Sequence, residues 1–356
     1  MAKRVFVFGA GASAMTGAPL MATFIDAAET LKKRKPSEIS VTSFDKFFDV
    51  LLPRLRVIHA TSVVNLWNIE EVFGLVEMGR LVSRLPSTPP EEVGALADAT
   101  KVVLAQTVEL CCQFERVSGR WVPPSAYLDI AKAVGLRENR GPGTDALITF
   151  NYDLALDYAL QWSHVQSSYC LDNERQTGVP LLKLHGSLNW AWCPICKRVH
   201  AEPLATVLDR SPRQEPYQDG SRRPILSTRL LKRRCPCVST APLDVGIVPP
   251  TWNKTQYHES FSSVWRRAAS ELSQAEEVFV IGYSFPDTDS FFRDLLALGF
   301  VGMGRLKRFE VVNQDPKVSS RFRELLGPEC QRGFMSSQSN FENWAPNALE
   351  YLTRQD

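Results

Sequence analysis

The chain has 356 residues, of which 44% are hydrophobic and 22% are charged. This composition is typical of a folded globular protein and excludes the disordered and fibrous classes. The 41 basic residues nearly balance the 39 acidic ones, and the formal net charge is +2, so we expect neither nucleic acid nor an anionic membrane as a direct partner.

The N-terminal segment predicts no leader and no membrane anchor. Its apolar stretch, Val5 to Phe8, runs into a glycine turn and is too short for a signal peptide. Elsewhere no apolar run approaches the roughly 20 residues that a membrane helix needs. We therefore expect a cytoplasmic protein, in which the eight cysteines are thiols or metal ligands rather than disulfides.

Short apolar runs predict buried strands, and segments with helical spacing separate them. The runs are continuous rather than alternating, as in a parallel sheet that is covered on both faces. Strands that alternate with helices imply right-handed crossovers, so we predict a doubly wound, mostly parallel, Rossmann-like α/β sheet. The predicted strands are Arg4–Phe8, Ala146–Phe150, Leu181–Leu184, Glu277–Ile281 and Phe309–Val312.

Two insertions interrupt this pattern within what we interpret as a single domain over residues 1–356. Residues from about 20 to 143 contain several helical patterns and no convincing strand, which predicts an inserted helical module. Residues from about 189 to 248 contain four of the cysteines and little periodicity. They predict a small, loop-rich, zinc ribbon-like lobe.

A glycine-rich turn follows the first predicted strand, with the sequence Gly-Ala-Gly-Ala-Ser-Ala over residues 9–14. A strand that leads into such a turn and a helix start is typical of dinucleotide-binding sites. Gly9 would permit the tight turn, Gly11 would let backbone amides approach a pyrophosphate, and Ser13 would add a hydroxyl donor. A turn that serves only packing is the alternative. A helical pattern follows where a dehydrogenase would have its second strand and acidic residue, so the sequence does not favour hydride transfer.

The later strands each end in a cluster of polar residues. Ligands in open α/β sheets bind outside the carboxyl ends of the strands, where these clusters would meet. A lone buried asparagine or histidine is more often a hydrogen-bonded core group, but the joint pattern favours a site. The clusters are Asn151-Tyr152-Asp153, His185-Gly186-Ser187, Gly282-Tyr283-Ser284 and Asn313-Gln314-Asp315.

These motifs, in this order, resemble those of the sirtuins. Residues 9–13 match the opening glycine motif, residues 149–153 the Thr-x-Asn-x-Asp motif, and residues 185–186 the catalytic His-Gly. Residues 282–284 match the Gly-x-Ser phosphate loop, and Asn313 the asparagine that contacts the adenosine ribose. The resemblance covers residues 4 to about 316. It implies NAD binding by Gly9, Ala10, Gly11, Ala12, Ser13, Gly282, Ser284 and Asn313.

The chain departs from sirtuin deacylases at two segments. Leu20-Met21-Ala22 stands in place of a segment with a Phe-Arg pair that contacts NAD, and residues 247–252 replace a Phe-Gly-Glu segment beside the acyl-lysine peptide. The Asn-Tyr-Asp motif and the Gly-Tyr-Ser-Phe-x-Asp-x-Asp motif of residues 282–289 resemble bacterial sirtuin-like NAD hydrolases of anti-phage defence. This resemblance implies an NAD glycohydrolase that acts beside an ATPase or sensor protein, and we also expect a homo-oligomer. The alternatives are an NAD-dependent protein deacylase and a non-catalytic sensor of NAD or ADP-ribose.

The candidate catalytic residues suit cleavage of the bond between nicotinamide and ribose. That cleavage builds positive, oxocarbenium-like character on the sugar, as in other glycosidic cleavages. The Asn151 amide would orient a ribose hydroxyl or a water, and Asp153 would hold that arrangement. His185 would accept a proton near neutral pH.

The cysteines of the predicted lobe form a C-x-x-C pair, Cys193 and Cys196, and a C-x-C pair, Cys235 and Cys237. Four thiolates bind zinc tetrahedrally, and the metal would stabilise a lobe that has little core of its own. The resemblance also implies a four-cysteine zinc module at this place in the chain. Two pairs of reduced thiols are the alternative, and His200 is a candidate substitute ligand.

Overall fold

The computed structural model describes residues 3–36, 39–118, 120–141, 143–172, 174–204, 222–224, 235, 237, 243–248, 255–286, 290–300 and 306–354. Its strands are β1 (Arg4–Phe8), β2 (Gln113–Val117), β3 (Arg120–Val122), β4 (Asp145–Thr149), β5 (Ser167–Ser168), β6 (Val179–Lys183), β7 (Gly186–Trp192), β8 (Val199–Ala201), β9 (Arg222–Pro224), β10 (Asp244–Ile247), β11 (Glu277–Ile281), β12 (Arg308–Val312) and β13 (Phe334–Ser337).

Helices pack on both faces of the large sheet. None of the helices in the described part of the chain is long and apolar enough to cross a bilayer. A π-helical segment, Lys46–Leu51, joins the third helix to the fourth. The helices are α1 (Ala10–Ser13), α2 (Phe24–Arg34), α3 (Val41–Asp45), α4 (Leu52–Arg56), α5 (Ile69–Leu81), α6 (Pro90–Cys111), α7 (Ser125–Glu138), α8 (Ala155–Trp162), α9 (Thr255–Ser273), α10 (Ser290–Gly299), α11 (Pro316–Leu325), α12 (Pro328–Gln331) and α13 (Phe341–Thr353).

A seven-stranded sheet in the order β13-β12-β11-β1-β4-β6-β5 is the centre of the fold. Every pairing within it is parallel. β1 lies between β4 and β11, so the strand order reverses beside it, and such switch points are where open α/β sheets bind ligands. All the strands predicted from apolar runs lie in this sheet, which confirms the predicted doubly wound, Rossmann-like architecture.

Both faces of the sheet are covered, which explains why its strands are continuously apolar. Val5 and Val7 of β1 pack on one face with residues of α9 and α10. Phe6 and Phe8 pack on the other face with residues of α7, α8 and α13. Since neighbouring residues of a strand point to opposite faces, each position of β1 is buried.

A buried ion cluster fixes α7 to the sheet. Arg4 donates from Nε and Nη2 to the two carboxylate oxygens of Asp145, at 2.9 and 2.8 Å. Arg137 of α7 donates from Nε to the same carboxylate at 3.2 Å. Arg4 Nη1 also donates to the carbonyl of Leu352 in α13, at 2.7 Å. The cluster therefore holds β1, β4, α7 and α13 in one rigid arrangement.

The helical insertion covers the carboxyl edge of the sheet. Helices α2 to α6 share a core that also contains Tyr152, Leu188, Val245 and Ile247, which belong to the strand-end loops and to the lobe. The expectation of no strand between about residues 20 and 143 is wrong, because β2 and β3 form an antiparallel hairpin there. Helix α7, in the same range, packs on the sheet instead of on the other inserted helices.

The lobe is more regular than the loop-rich segment predicted over about residues 189–248. Strands β10, β7 and β8 form an antiparallel sheet, and β9 pairs with β2 of the hairpin. A small core holds the lobe together, and two of its four members are cysteines: Ala191, Cys193, Cys235 and Leu243. Apolar residues alternate with polar or small ones in β7 and β10, which is the pattern of a half-buried strand, so this signal could have predicted both strands.

Candidate active site

A cavity lies at the carboxyl end of the large sheet, between the strand ends and the helical insertion. Four of the candidate catalytic and cofactor-binding residues at the strand ends line it, namely Asn151, Asp153, His185 and Ser284. The insertion contributes Met21, Glu70 and Val108, and the remaining lining residues are Ala10, Ser13, Ala18, Pro19, Phe150, Tyr152, Tyr283 and Pro286. The structure therefore brings together the candidate catalytic residues from β4 and β6.

Asn151 follows β4, and its side chain is held by two hydrogen bonds to the glycine-rich turn. Nδ2 donates to the carbonyl of Gly9 at 2.8 Å and to Ser13 Oγ at 2.9 Å. An amide nitrogen carries two protons, so both are used within the protein. The oxygen Oδ1 is then the atom of Asn151 that can accept a hydrogen bond from a ribose hydroxyl or a water.

Ser13 of the glycine-rich turn lines the cavity and is held by hydrogen bonds within the protein. Its side chain is 1% exposed, and its hydroxyl accepts from Asn151 and lies 2.9 Å from the hydroxyl of Tyr127. A hydroxyl with these partners holds Asn151 in place. Donation from the Ser13 hydroxyl to a phosphate stays a prediction.

Asp153 is both a helix-capping group and part of the cavity wall. Its Oδ1 accepts from the backbone N–H of Ala155 at 2.9 Å, where α8 begins. Burial raises the pKa of the Asp153 carboxyl, and the nearby ammonium of Lys183 opposes this effect. Lys183 also donates to the backbone carbonyl of Asp153 at 2.5 Å and to Asp157 Oδ2 at 2.9 Å. These contacts fix the loop that follows Asn151.

His185 lies in the tight turn between β6 and β7, with its side chain 5% exposed. Its ring meets Phe150 edge to face, with the ring centroids 5.0 Å apart. Its backbone carbonyl accepts from the N–H of Val248 at 2.7 Å. The ring of Tyr152 lies 6.3 Å from the imidazole, centroid to centroid, so two aromatic side chains pack against the imidazole at the cavity that it lines.

The segment after β10 is also tied to the site. The hydroxyl of Tyr152 donates to the carbonyl of Val248 at 2.8 Å, while the N–H of Val248 is bonded to His185. Both backbone groups of Val248 are thus used within the protein. An extended acyl-peptide could not accept from the Val248 N–H without breaking its bond to His185.

The backbone amides of the glycine-rich turn are directed to neighbouring carbonyls. The N–H of Gly9 donates to Ile281 at 3.0 Å, that of Gly11 to Gly282 at 2.8 Å, and that of Ala12 to Gly9 at 2.9 Å. These three amides therefore take part in the packing of the turn, and the binding of a pyrophosphate by this turn stays a prediction. Of the turn, Ala10 and Ser13 line the cavity.

Gly11 is required by the approach of a second loop rather than by a ligand alone. A Cβ atom at this position would lie 2.8 Å from the carbonyl oxygen of Gly282. We expect Gly11→Ala to lower the free energy of unfolding by about 1–3 kcal/mol, the usual cost of overpacking. The matched control is Gly94→Ala, where a Cβ would meet no atom within 4 Å. Denaturant unfolding checks both, and a Gly11→Ala variant as stable as the wild type would contradict this packing.

Asn313 lies outside the residues that line the cavity. It is half-buried, and its Oδ1 accepts from the N–H of Asp315 at 3.0 Å in a turn that leads into α11. Tyr283 belongs to the Gly-Tyr-Ser-Phe motif of residues 282–285, and its ring stacks on that of Phe150 with the centroids 4.3 Å apart. Asp287 and Asp289 of this motif lie outside the described residues.

Glu70 is a cavity residue that the sequence did not reveal. It lies in the first turn of α5, and its backbone N–H donates to the capping side chain of Asn68 at 2.9 Å. The Asn-Ile-Glu-Glu start predicts a helix, but nothing in it places that helix over a strand end of the sheet. The helical insertion thereby adds a carboxyl group to a cavity built from the strand ends.

The charged side chains of the described cavity lining are acidic, and the ammonium of Lys183 lies beside one of them, Asp153. The lining includes the carboxyl groups of Glu70 and Asp153, and no lysine or arginine is among the described residues that form it. Aromatic side chains, including Phe150 and Tyr283, supply much of the remaining wall. Carboxyl groups and aromatic faces stabilise cations, so the cavity suits a positively charged group better than a phosphate.

The four cysteines of the lobe come together as a metal-binding cluster. Their sulfur atoms all lie within 4.8 Å of one another, with Cys193 Sγ and Cys237 Sγ 3.7 Å apart and Cys196 Sγ and Cys235 Sγ 3.6 Å apart. Zn–S bonds of about 2.3 Å in a tetrahedron give sulfur–sulfur distances of about 3.8 Å. The C-x-C pair therefore fits a zinc site as well as the C-x-x-C pair does.

His200 lies beside this cluster and not within it. Its Nε2 is 3.4 Å from Cys235 Sγ, a distance suited to an N–H···S hydrogen bond, and the four sulfurs already complete a tetrahedral set. His200 is thus better placed to orient a cysteine ligand than to replace one. A zinc ion bound here would tie together the strands of the lobe.

Comparisons with known proteins find similarity in structure only. No protein-family profile and no curated protein matches the sequence. A Sir2 homologue–NAD complex is 15% identical and has a TM-score of 0.41, with 99% of this chain and 90% of that chain covered. Sir2Tm bound to a propionylated peptide is 15% identical with a TM-score of 0.39, covering 98% and 92%. Sir2 bound to an acetylated peptide is 14% identical with the same score, covering 98% and 92%.

Proposed function

We propose that this chain is a sirtuin-like enzyme that consumes NAD, and that it hydrolyses NAD to nicotinamide and ADP-ribose. One observation carries the proposal. The cavity at the switch point of the sheet combines an oriented asparagine, a histidine and two carboxyl groups, with no lysine or arginine among its described lining residues. The nicotinamide ring of NAD is cationic, and cleavage extends positive charge to the ribose, so this lining suits the reacting end of NAD.

The proposed reaction breaks the bond between the nicotinamide nitrogen and ribose C1 and forms a bond from C1 to a water oxygen. Oδ1 of Asn151 accepts from a ribose hydroxyl or from the attacking water. His185 takes the proton that the water loses, and nicotinamide leaves as a neutral molecule. Asp153 and Glu70 stabilise the positive charge on the sugar by their negative charge.

Hydrolysis is favoured over deacylation by the hydrogen bonds of the residue that follows β10. This residue, Val248, has both backbone polar groups bonded within the protein, to His185 and to Tyr152. The sequence also lacks the Phe-Arg pair and the Phe-Gly-Glu segment of sirtuin deacylases. Water is then the acceptor that we propose.

Product analysis separates the proposal from its rivals. Purified protein is incubated with NAD, with and without an acetyl-lysine peptide, and the products are identified by chromatography and mass spectrometry. We expect nicotinamide and ADP-ribose in equal amounts in both reactions, at rates within about twofold of each other. A deacylase would release nicotinamide steeply faster with the peptide and form an acetylated ADP-ribose. A sensor would bind NAD and leave it intact.

An anti-phage role is the biological context that we propose for this activity, on the resemblance of the sequence motifs. Loss of NAD would starve an infected cell, so such an effector needs a trigger, supplied by a partner ATPase or sensor or by homo-oligomer assembly. Cells that express the wild-type chain with its neighbouring genes should form fewer plaques than cells that express His185→Ala. Equal plaque numbers across a broad phage panel would count against this role.

A further inference from the structure

Tyr127 is a buried polar group next to the site that the proposed reaction does not use directly. It lies in the first turn of α7, it is 1% exposed, and its hydroxyl is 2.9 Å from Ser13 Oγ. Ser13 Oγ in turn accepts from Asn151 Nδ2 at 2.9 Å. Two hydrogen bonds therefore connect a helix beneath the sheet to the side chain of the candidate catalytic asparagine.

A phenylalanine at position 127 would pack as well as the ring of Tyr127 does. That ring contacts Phe8 with ring centroids 5.7 Å apart and Phe341 with centroids 5.0 Å apart, and both contacts are apolar. A buried hydroxyl costs free energy unless it is hydrogen-bonded. The hydroxyl thus contributes nothing to this core that a phenylalanine would lack, except its polar contacts with Ser13 and Asn151.

We infer that Tyr127 is a positioning residue, which acts through Ser13 to hold the Asn151 amide with its oxygen directed into the cavity. Burial raises the pKa of the Tyr127 hydroxyl well above its ordinary value, and the charge of Asp153 adds to this effect. The hydroxyl therefore stays protonated at neutral pH and remains able to donate. The two hydrogen bonds from Tyr127 through Ser13 to Asn151 form what we call the relay. The ion cluster of Arg4, Arg137 and Asp145 fixes α7, so the relay starts from a rigid element.

The relay has a direct consequence for the proposed reaction, on which this inference rests. With Ser13 held by Tyr127, one amide proton of Asn151 is bound to Ser13 and the other to Gly9. Without the phenol hydroxyl of Tyr127, the Ser13 side chain can rotate to another rotamer. The side-chain amide of Asn151 can then turn with it. The population of enzyme with Oδ1 correctly directed then falls, which lowers kcat and leaves the binding of NAD unchanged.

Tyr127→Phe tests this inference, with Tyr158→Phe as the matched control. Tyr158 also donates its hydroxyl within the fold, to the carbonyl of Trp121 at 2.8 Å, and it does not line the cavity. We expect Tyr127→Phe to lower kcat for NAD hydrolysis about 3–10-fold, the equivalent of one hydrogen bond, with KM within twofold. Tyr158→Phe should leave both constants unchanged. Equal effects of the two variants, or a change confined to KM, would overturn the inference.

A double-mutant cycle reaches the relay from its other end. If Tyr127 acts only through Ser13, the pair Tyr127→Phe and Ser13→Ala should reduce kcat no more than Ser13→Ala alone. Additive losses would mean that Tyr127 acts by another route.

A measurement without turnover separates failure of this inference from failure of the proposed function. In protein labelled with 15N-asparagine, the side-chain amide resonance of Asn151, assigned with Asn151→Ser, should shift in Tyr127→Phe and stay in place in Tyr158→Phe. This result is expected even if the wild type proves inert toward NAD. An Asn151 resonance that is unmoved in a folded Tyr127→Phe variant would overturn the relay.

Discussion

His185→Ala is expected to lower kcat for NAD hydrolysis by 10²–10⁴-fold, and Asn151→Ala is expected to do the same. These are the losses typical of a removed acid–base group, about 3–5 kcal/mol of transition-state stabilisation. Each residue would act on the transition state more than on bound NAD, so KM should change far less than kcat. Initial rates of nicotinamide release over a range of NAD concentrations give both constants.

The effects of these two substitutions on kcat should not be additive. Both side chains would serve one step, so the double variant should be little worse than the worse single one. His164→Asn is the control, because His164 is exposed, away from the cavity, and in a left-handed conformation that asparagine tolerates. Full turnover by His185→Ala would remove the proton-accepting role, whatever the control shows.

Substitution of a cysteine in the cluster is the second change with a large expected effect, on zinc content and on the stability of the lobe. The protein as purified should contain close to one zinc per chain, and Cys193→Ser should lose it, because three sulfurs cannot complete the tetrahedron. Structural zinc binding is worth about 10–16 kcal/mol in small zinc-binding peptides, so the lobe should unfold at lower temperature or become protease-sensitive. Elemental analysis and calorimetry measure the two effects.

Cys330→Ser is the matched control for the zinc experiment. Cys330 is a half-buried free thiol in α12, the helix before the edge strand β13, and it is not part of the cluster, so its substitution should retain the metal. A folded, reduced wild-type sample without zinc would show that the cluster is two pairs of thiols.

The strands could be predicted from the sequence because both of their faces are buried. A strand such as Glu277–Ile281, packed on both faces, is a continuous apolar run that has few other interpretations. Their polar ends could be predicted for a related reason, since parallel strands bring their carboxyl ends to one edge. Asn151 and His185 therefore meet at the cavity although they are far apart in the sequence.

The groups that complete the site could not be predicted, because they depend on the packing of distant segments. Glu70 reaches the cavity only through the position of α5 over the sheet, and Tyr127 only through the ion cluster that fixes α7. Hydrogen bonds are equally invisible in the sequence. The amide of Gly11 has the spacing of a phosphate ligand, yet in the fold it is paired with Gly282.

The most direct measurement is the fate of NAD mixed with the purified wild-type chain alone, with no peptide present, beside the His185→Ala variant. Hydrolysis by Asn151 and His185 predicts that the wild type converts NAD to nicotinamide and ADP-ribose in a one-to-one ratio, and that His185→Ala leaves nearly all of it intact over the same time. An NAD pool that stays intact with the folded wild type, or that both proteins consume equally, would contradict the proposed hydrolysis.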